Sequence, residues 1–307
     1  DLIETTVSHL FREPNDALNG LTYGRLLIRQ LRKLGWFTPK PHVIVEVGGG
    51  LGYLAREAGK ELLPFEKQTI RYISLDITEP FLALQVTRAK AGGWGGIGTR
   101  ANGEWLPFKD HSVDLVIDNE NMADMTPVRL SRRELLEGTG DSPQHQEALD
   151  WIRRVRLPLG KDLPEDVTFN LGPFRFVAEL WRVLKPGGRA FLTEFGIEEG
   201  WPAPVKLPGH TEYEVQYSHL RLLTRWLGFQ ERYLSLPQFL AIKPDSQVLC
   251  TGAAYTIQRF CRAMNQPFIV RAYTEKELQR TLGDMLPKLR GCHYHDVADP
   301  AWFGLID

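Results

Sequence analysis

The stretch HVIVEVGGGLGYLA, residues 42–55, sets four glycines within five positions directly behind a run of branched apolar residues. The run predicts a short buried strand, and the glycines predict a sharp strand-to-helix turn at its end. In a parallel α/β sheet, ligands bind beyond the carboxyl ends of the strands, and the first such turn is where backbone comes nearest to them. Gly48, Gly49, Gly50 and Gly52 remove the side chains that would block that approach and permit positive φ. The turn is shaped to press on a ligand.

Outward from it, the same alternation continues. RYISLDI is a second β-branched run, and LGYLAREAGKELL and PFLALQVTRAKAG are the helical patterns that succeed the two strands. HSVDLVIDNE adds a further strand; FRFVAELWRVL reads as an amphipathic helix, broken by KPGG before RAFLTEF resumes as strand. SHLRLLTRWLGF and ERYLSLPQFL read as one more helix and strand, and HYHDVADPAWFGLI as a last strand. Strands alternating with helices predict βαβ units and a mostly parallel sheet. Residues 2–35 carry apolar positions at three and four spacing and predict an N-terminal helical cap, bounded at about residue 40. Residues 41–307 then form one core interrupted by two insertions, at about 128–172 and 241–291; insertions longer than about 15 residues are usually caps or lids.

Composition narrows the function classes. A chain of 307 residues with 43% hydrophobic content buries a large core, and a formal net charge of -1 with dispersed Lys and Arg gives no pull toward nucleic acid or an anionic membrane. No apolar run approaches the roughly 20 residues that span a bilayer, and the first residues lack the pattern of a signal peptide, so a cytoplasmic protein is expected. The expected partners are small molecules or proteins. Cys250, Cys261 and Cys292 are an odd, widely spaced set that predicts buried free thiols. His293 and His295 alternate beside Cys292 with no further ligand nearby in sequence, and no metal is expected. The initial Asp is what a piece excised from a larger multienzyme would carry, or a trimmed chain.

Which ligand the turn presses on is decided by its neighbours. The dinucleotide pattern G-x-G-x-x-G fits poorly, because counting from Gly48 or Gly50 puts Tyr53 or Ala55 at the third glycine. E-V-G-G-G-L-G instead resembles the first motif of class I S-adenosylmethionine-dependent methyltransferases, acidic-x-Gly-x-Gly-x-Gly. The resemblance implies their Rossmann-like fold with a mostly parallel seven-stranded sheet. It also implies that Glu46 holds the ammonium of the methionine part, with Gly48, Gly50 and Gly52 at the cofactor. Asp76 ends the second strand 30 positions later (76 − 46), where a carboxylate accepts both hydroxyls of a ribose, with Ile77 next to it. Residues 101–118 and 180–195 resemble that family's segments from the third strand to the fifth. There Asn102, with Gly103 beside it, stands where most relatives carry an Asp at the adenine, and Asn119 closes the fourth strand.

The resemblance extends beyond the cofactor half. YGRLLIRQLRKLGW, NENMADMTPVRL, LPGHTEYEVQYSHLRLLTRWLGF and YLSLPQFLAI are similar to blocks of the MidA-like methyltransferases, over roughly residues 20–242. That family includes a protein arginine methyltransferase acting on a respiratory complex subunit, and similar domains act as O-methyltransferases inside polyketide synthases. An alcohol acceptor requires a general base, for which His is suited near neutral pH, whereas a guanidinium calls for paired carboxylates. Glu120, with Asp118 and Asp124 near it, lies after the fourth strand, and His210 lies after the fifth on a loop crossing the same mouth. His210 as base with Glu120 as its orienter is the favoured pairing, and His219 is the reserve base. Trp201, Tyr213 and Tyr217 are candidate walls of an acceptor pocket. The favoured function is O-methylation of a hydroxyl on a biosynthetic intermediate, free or tethered to a carrier protein. The alternatives are arginine N-methylation and a non-catalytic assembly factor that keeps a cofactor pocket.

Overall fold

The computed structural model describes residues 6–37, 42–207, 209–243, 246–249, 251–284, 294–296 and 304–306. The apolar runs assemble into one seven-stranded sheet. Its strands are β1 His42–Val47, β2 Ile70–Asp76, β3 Ile97–Arg100, β4 Val113–Asn119, β5 Leu184–Glu194, β6 Tyr233–Ser235 and β7 Gly304–Ile306, in the order β3-β2-β1-β4-β5-β7-β6. Strands β1 to β5 run parallel, and β7 enters antiparallel between β5 and β6. The order reverses at β1, so the carboxyl ends of β1, β2 and β4 open on one crevice, the ordinary ligand position in such sheets. Helices Tyr53–Glu61, Glu79–Gly92 and Leu171–Val183 come after β1, β2 and the insertion respectively, and apolar clusters fill both faces of the sheet.

Three sequence expectations change. KPGG lies inside β5 instead of ending a loop: Val113 pairs with Leu184 and Leu115 with Arg189, so the extra residues loop out between those pairs with Gly187 at φ +77°. The run ERYLSLPQFL gives only three strand residues before Ser235 caps a short helix, Leu236–Leu240, with a proline in its first turn. The C-terminal run splits into Tyr294–Asp296, paired outside the main sheet with Gln247–Leu249, and β7. Cys250, Cys292 and His293 lie outside the described residues, while Cys261 is a buried free thiol. No described helix is long and apolar enough to cross a membrane.

The N-terminal segment contains a four-residue helix, Val7–Leu10, and the helix Tyr23–Lys33. The second is amphipathic by spacing. Tyr23, Leu26, Leu27 and Leu31 are buried, while Arg25 and Arg29 pair with Glu61 and Arg32 with Glu66. The segment around residues 246–284 packs against this N-terminal segment: the Ala272 N–H donates to the Leu10 carbonyl at 3.0 Å, and Asn15 donates to the Ala272 carbonyl at 2.9 Å. The stretch 128–172 folds as an antiparallel pair, Val128–Ser131 with Asp166–Phe169, carrying helices Arg132–Glu137 and Pro143–Arg154.

One ion-pair group ties this insertion to the crevice. Arg175 donates to Glu147 at 2.6 Å and to the buried Glu104 at 2.9 Å, and Glu104 accepts from the Thr126 N–H and hydroxyl. Removing Arg175 leaves Glu104 a buried, uncompensated charge. Arg175→Met is expected to lower unfolding free energy by about 3–5 kcal/mol, read from urea denaturation at neutral pH.

Candidate functional site

The crevice holds two adjoining cavities that share Gly48, Asp76, Ile77, Asn121 and Asp124 in their walls. One, of about 440 Å³, is closed by Asn102, Gly103 and Met125; the other, of about 380 Å³, by Gly50, Tyr53, Glu120 and, from the N-terminal segment, Thr6 and His9. Of the cofactor residues expected from sequence, Gly48, Gly50, Asp76, Ile77, Asn102 and Gly103 are thus brought together on this space.

The glycines divide by reason. Gly50 has φ +49°, and a Cβ built there meets nothing within 4 Å, so the turn presents an open cradle at that point. Gly48 and Gly52 are also left-handed, but there a Cβ would strike the Asn121 side chain and, at 2.7 Å, the Cα of Gln85. Packing against the Glu79–Gly92 helix therefore demands glycine at position 52. Gln85 links the two halves of the crevice, because its Nε2 donates to the Gly50 carbonyl at 3.1 Å and to Asp76 Oδ2 at 2.6 Å. The other oxygen of Asp76 accepts from the N–H and hydroxyl of Thr78.

Glu46 is placed differently from its expected role. It stands buried behind the turn, against Gly49, and is not among the residues lining either cavity. Its Oε2 accepts from the Tyr72 hydroxyl at 2.5 Å, while its Oε1 is buried with no hydrogen-bond partner. Asn119 likewise lies off the cavities, accepting from Tyr23 at 2.5 Å and donating to Glu120 at 3.2 Å. Burial lifts Glu46 to about 7 and Asp118 to about 7, the charges of Asp76 and of Asp124 adding to the two respectively. Asp118 Oδ1 also lacks a partner, and Glu194 at the end of β5 is pushed well above the usual carboxylate range by burial and then by Glu120.

His210 and Glu120 are not arranged as the sequence suggested. The carboxylates on the imidazole are Glu212, 3.2 Å from Nε2, and Asp124, 3.7 Å from it. Glu120 turns instead to the N-terminal segment, accepting from the Val7 N–H at 2.6 Å as well as from Asn119. It sits at φ +56°, a left-handed conformation that is costly for a side chain bearing Cβ and that recurs at functional turns. Strand periodicity accounts for Glu212: in the two-stranded pair Pro204–Leu207 with His210–Tyr213, positions 210 and 212 share a face.

A third, larger cavity of about 1020 Å³ meets the first at Pro127. Leu159, Pro164, Trp201, Tyr213 and His219 are in its wall. His219 is buried edge-on against Trp201 at 5.1 Å between ring centroids, and burial lowers it to about 4, so it is neutral at pH 7. Tyr217 is not in this wall; it is buried and donates to the Glu194 carbonyl.

No protein-family model matches the sequence, and no curated protein does. Among solved structures, the chain is similar to Haemonchus contortus phosphoethanolamine N-methyltransferase 2, solved with phosphomonomethylethanolamine and S-adenosylhomocysteine. The identity is 14% and the TM-score 0.45, over 93% of this chain and 52% of that one. This chain therefore spans about half the length of that relative. A similarity also extends to an S-adenosylmethionine-dependent methyltransferase of Aquifex aeolicus, at 16% identity and TM-score 0.38, over 74% of this chain and 94% of that one.

The raised acid at Glu46 has a signed consequence. Its folded-state value, about 7, exceeds the ordinary 4.5, so the folded protein binds this proton more tightly than the unfolded chain does. That contribution is complete below about 4.5 and is lost as pH rises through about 7. The unfolding free energy from urea denaturation is expected to fall between pH 5 and 8 in the wild type and to fall less in Glu46→Gln, by an amount on the order of 1–3 kcal/mol.

Proposed function

We propose that this chain is an S-adenosylmethionine-dependent methyltransferase acting on a hydroxyl of a biosynthetic intermediate, free or tethered to a carrier protein. The observation that carries the reading is the crevice itself. An open glycine cradle at Gly50 shares one cavity with the carboxyl groups of Asp76, Glu120 and Asp124. Such a lining favours a ligand carrying positive charge and disfavours a pyrophosphate. The residues present fit the cofactor: Asp76 for ribose hydroxyls, Ile77, Asn102 and Gly103 for the base, and the Gly50 turn for the amino-acid part.

When bound, the cofactor supplies a methyl group already activated on a sulfonium, so the protein's work is to position an acceptor and dispose of its proton. The large cavity has mixed walls, with Leu159, Trp201 and Tyr213 beside Arg129, Lys161 and Glu199, and meets the cofactor space at Pro127; we assign the acceptor to it. Proton removal is assigned to the group around His210, with Glu212 and Asp124 as its carboxylates in place of Glu120. His219, neutral and in the acceptor wall, is the second candidate.

Asp76→Ala is expected to weaken S-adenosylhomocysteine binding about 30- to 150-fold by calorimetry, the loss of roughly 2–3 kcal/mol of charged hydrogen bonding. Incubation with labelled cofactor, a hydroxyacyl thioester mimic and an arginine-rich protein extract tests the acceptor: label on the thioester supports the reading, label on arginine overturns it in favour of N-methylation, and binding without transfer marks an assembly factor. His210→Ala should lower transfer about 10²- to 10⁴-fold with cofactor affinity near wild type. An active His210→Ala beside an inactive His219→Ala would move proton removal into the acceptor wall.

A further inference from the structure

We infer that His219 is a specificity-determining residue for the acceptor: its imidazole hydrogen-bonds an uncharged oxygen group, a carbonyl or a second hydroxyl, that lies away from the hydroxyl being methylated. The inference rests on the assignment of the acceptor to the large cavity, whose wall His219 shares with Trp201 and Tyr213. His219 is only 7% exposed, and Trp201 stands edge-on to it at 5.1 Å between ring centroids. Its ring makes no hydrogen bond or ion pair with any described residue.

A polar ring in that position is left short. A neutral imidazole carries one N–H donor and one acceptor nitrogen, and burying both unmet costs free energy that a bound ligand recovers. The polar groups next to it in the wall are already satisfied. Gln216 donates to the Gly200 carbonyl at 2.8 Å and accepts from the Ser218 N–H at 3.0 Å and the Ser218 hydroxyl at 3.1 Å. The open positions on His219 are thus the ones that a ligand in the cavity meets.

Charge decides the kind of group. Burial alone lowers His219, to about 4, so the ring is neutral at pH 7, while Arg129 in the same wall is engaged with Asp166 at 2.8 Å. A carboxylate or ammonium brought against a buried neutral ring loses its water without gaining a counter-charge. A carbonyl accepts from the ring N–H, and a hydroxyl serves either nitrogen. Position separates this role from proton removal. His219 is in the wall of neither cofactor cavity, and Pro127 is the residue at which the large cavity meets that space. Asp124, beside His210, lines both cofactor cavities. His210 therefore serves the reacting end and His219 the far end, and the acceptor is long enough to present an oxygen group to each.

Two probes test this by calorimetry on the full chain, with and without S-adenosylhomocysteine, so that no methyl is transferred. One is a β-hydroxybutyryl N-acetylcysteamine thioester; the other is an alkyl thioether of the same length that keeps the hydroxyl and lacks carbonyl and amide groups. The wild type is expected to bind the thioester about 10- to 100-fold more tightly than the thioether, His219→Leu to lose that preference and His219→Gln to keep part of it. S-adenosylhomocysteine affinity near wild type in both variants shows that they are folded. No thioester binding by the wild type, equal binding of the two probes, or a preference undiminished in His219→Leu overturns the inference. So does a His219→Leu variant that binds the thioester as the wild type does but has lost kcat, which makes His219 the base. A His219-dependent preference in a protein that transfers no methyl from S-adenosylmethionine supports the recognition site and sinks the methyl-transfer reading, whereas transfer without that preference sinks the inference alone.

Discussion

Carboxyl groups gathered at the carboxyl ends of adjacent strands are the constraint on which the rest of this structure depends. Glu46 near the end of β1, Asp76 ending β2, Asp118 in β4 and Glu194 ending β5 are all buried. Burying an ionised carboxylate is costly unless something answers it. The protein answers in part with neutral donors: Tyr72 for Glu46, Gln85 and Thr78 for Asp76, Asn121 for Asp118, and the Ala123 and Phe195 N–H groups for Glu194. Burial answers the rest by favouring the protonated form, which lifts Glu46 and Asp118 to about 7 and Glu194 well above the usual carboxylate range.

Several elements pack around this crevice. The glycine turn can approach a ligand only because Gln85 fixes its carbonyl to Asp76, and Gln85 can do so only because Gly52 lets its helix come close. The N-terminal segment is held over the same space by one bond from the Val7 N–H to Glu120 and by the stacking of His9 on Tyr53 at 5.3 Å. The residue 246–284 segment secures that segment from behind through Ala272. The insertion after β4 supplies part of the wall of the larger cavity, and Arg175 anchors it through Glu147 and Glu104. Distant parts of the chain therefore converge on one crevice.

Much of this was legible in the sequence, for physical reasons that differ by residue. Strands β1, β2 and β4 were readable because their apolar runs are nearly continuous and mostly buried, whereas the short β3, IGTR, alternates between half-buried and exposed and gave no such signal; Asp76 was readable from its place at a strand end, and Asn102 and Gly103 only from the family resemblance. Glu46 was readable as an acid near the end of β1 but not in its placement, since its contact with Tyr72 comes from the neighbouring strand. Gln85, Asn121, Thr6 and His9 were not legible. Each is brought to the crevice by packing between segments far apart in sequence, and none belongs to a local pattern. Glu212 had a local signal, the alternation with His210 on one strand, but the polar run HTEY gives no hydrophobic period by which to recognise a strand. The split of the C-terminal run was hidden in the same way, because short antiparallel edge strands carry little pattern.

The most direct measurement is side-by-side calorimetric titration of the full chain with S-adenosylhomocysteine and with NAD⁺. An open cradle at Gly50 beside the carboxyl groups of Asp76, Glu120 and Asp124 predicts saturable, one-to-one, micromolar binding of S-adenosylhomocysteine, whose amino group is charged, and far weaker binding of the pyrophosphate-bearing dinucleotide. Tighter binding of NAD⁺ than of S-adenosylhomocysteine would contradict the account.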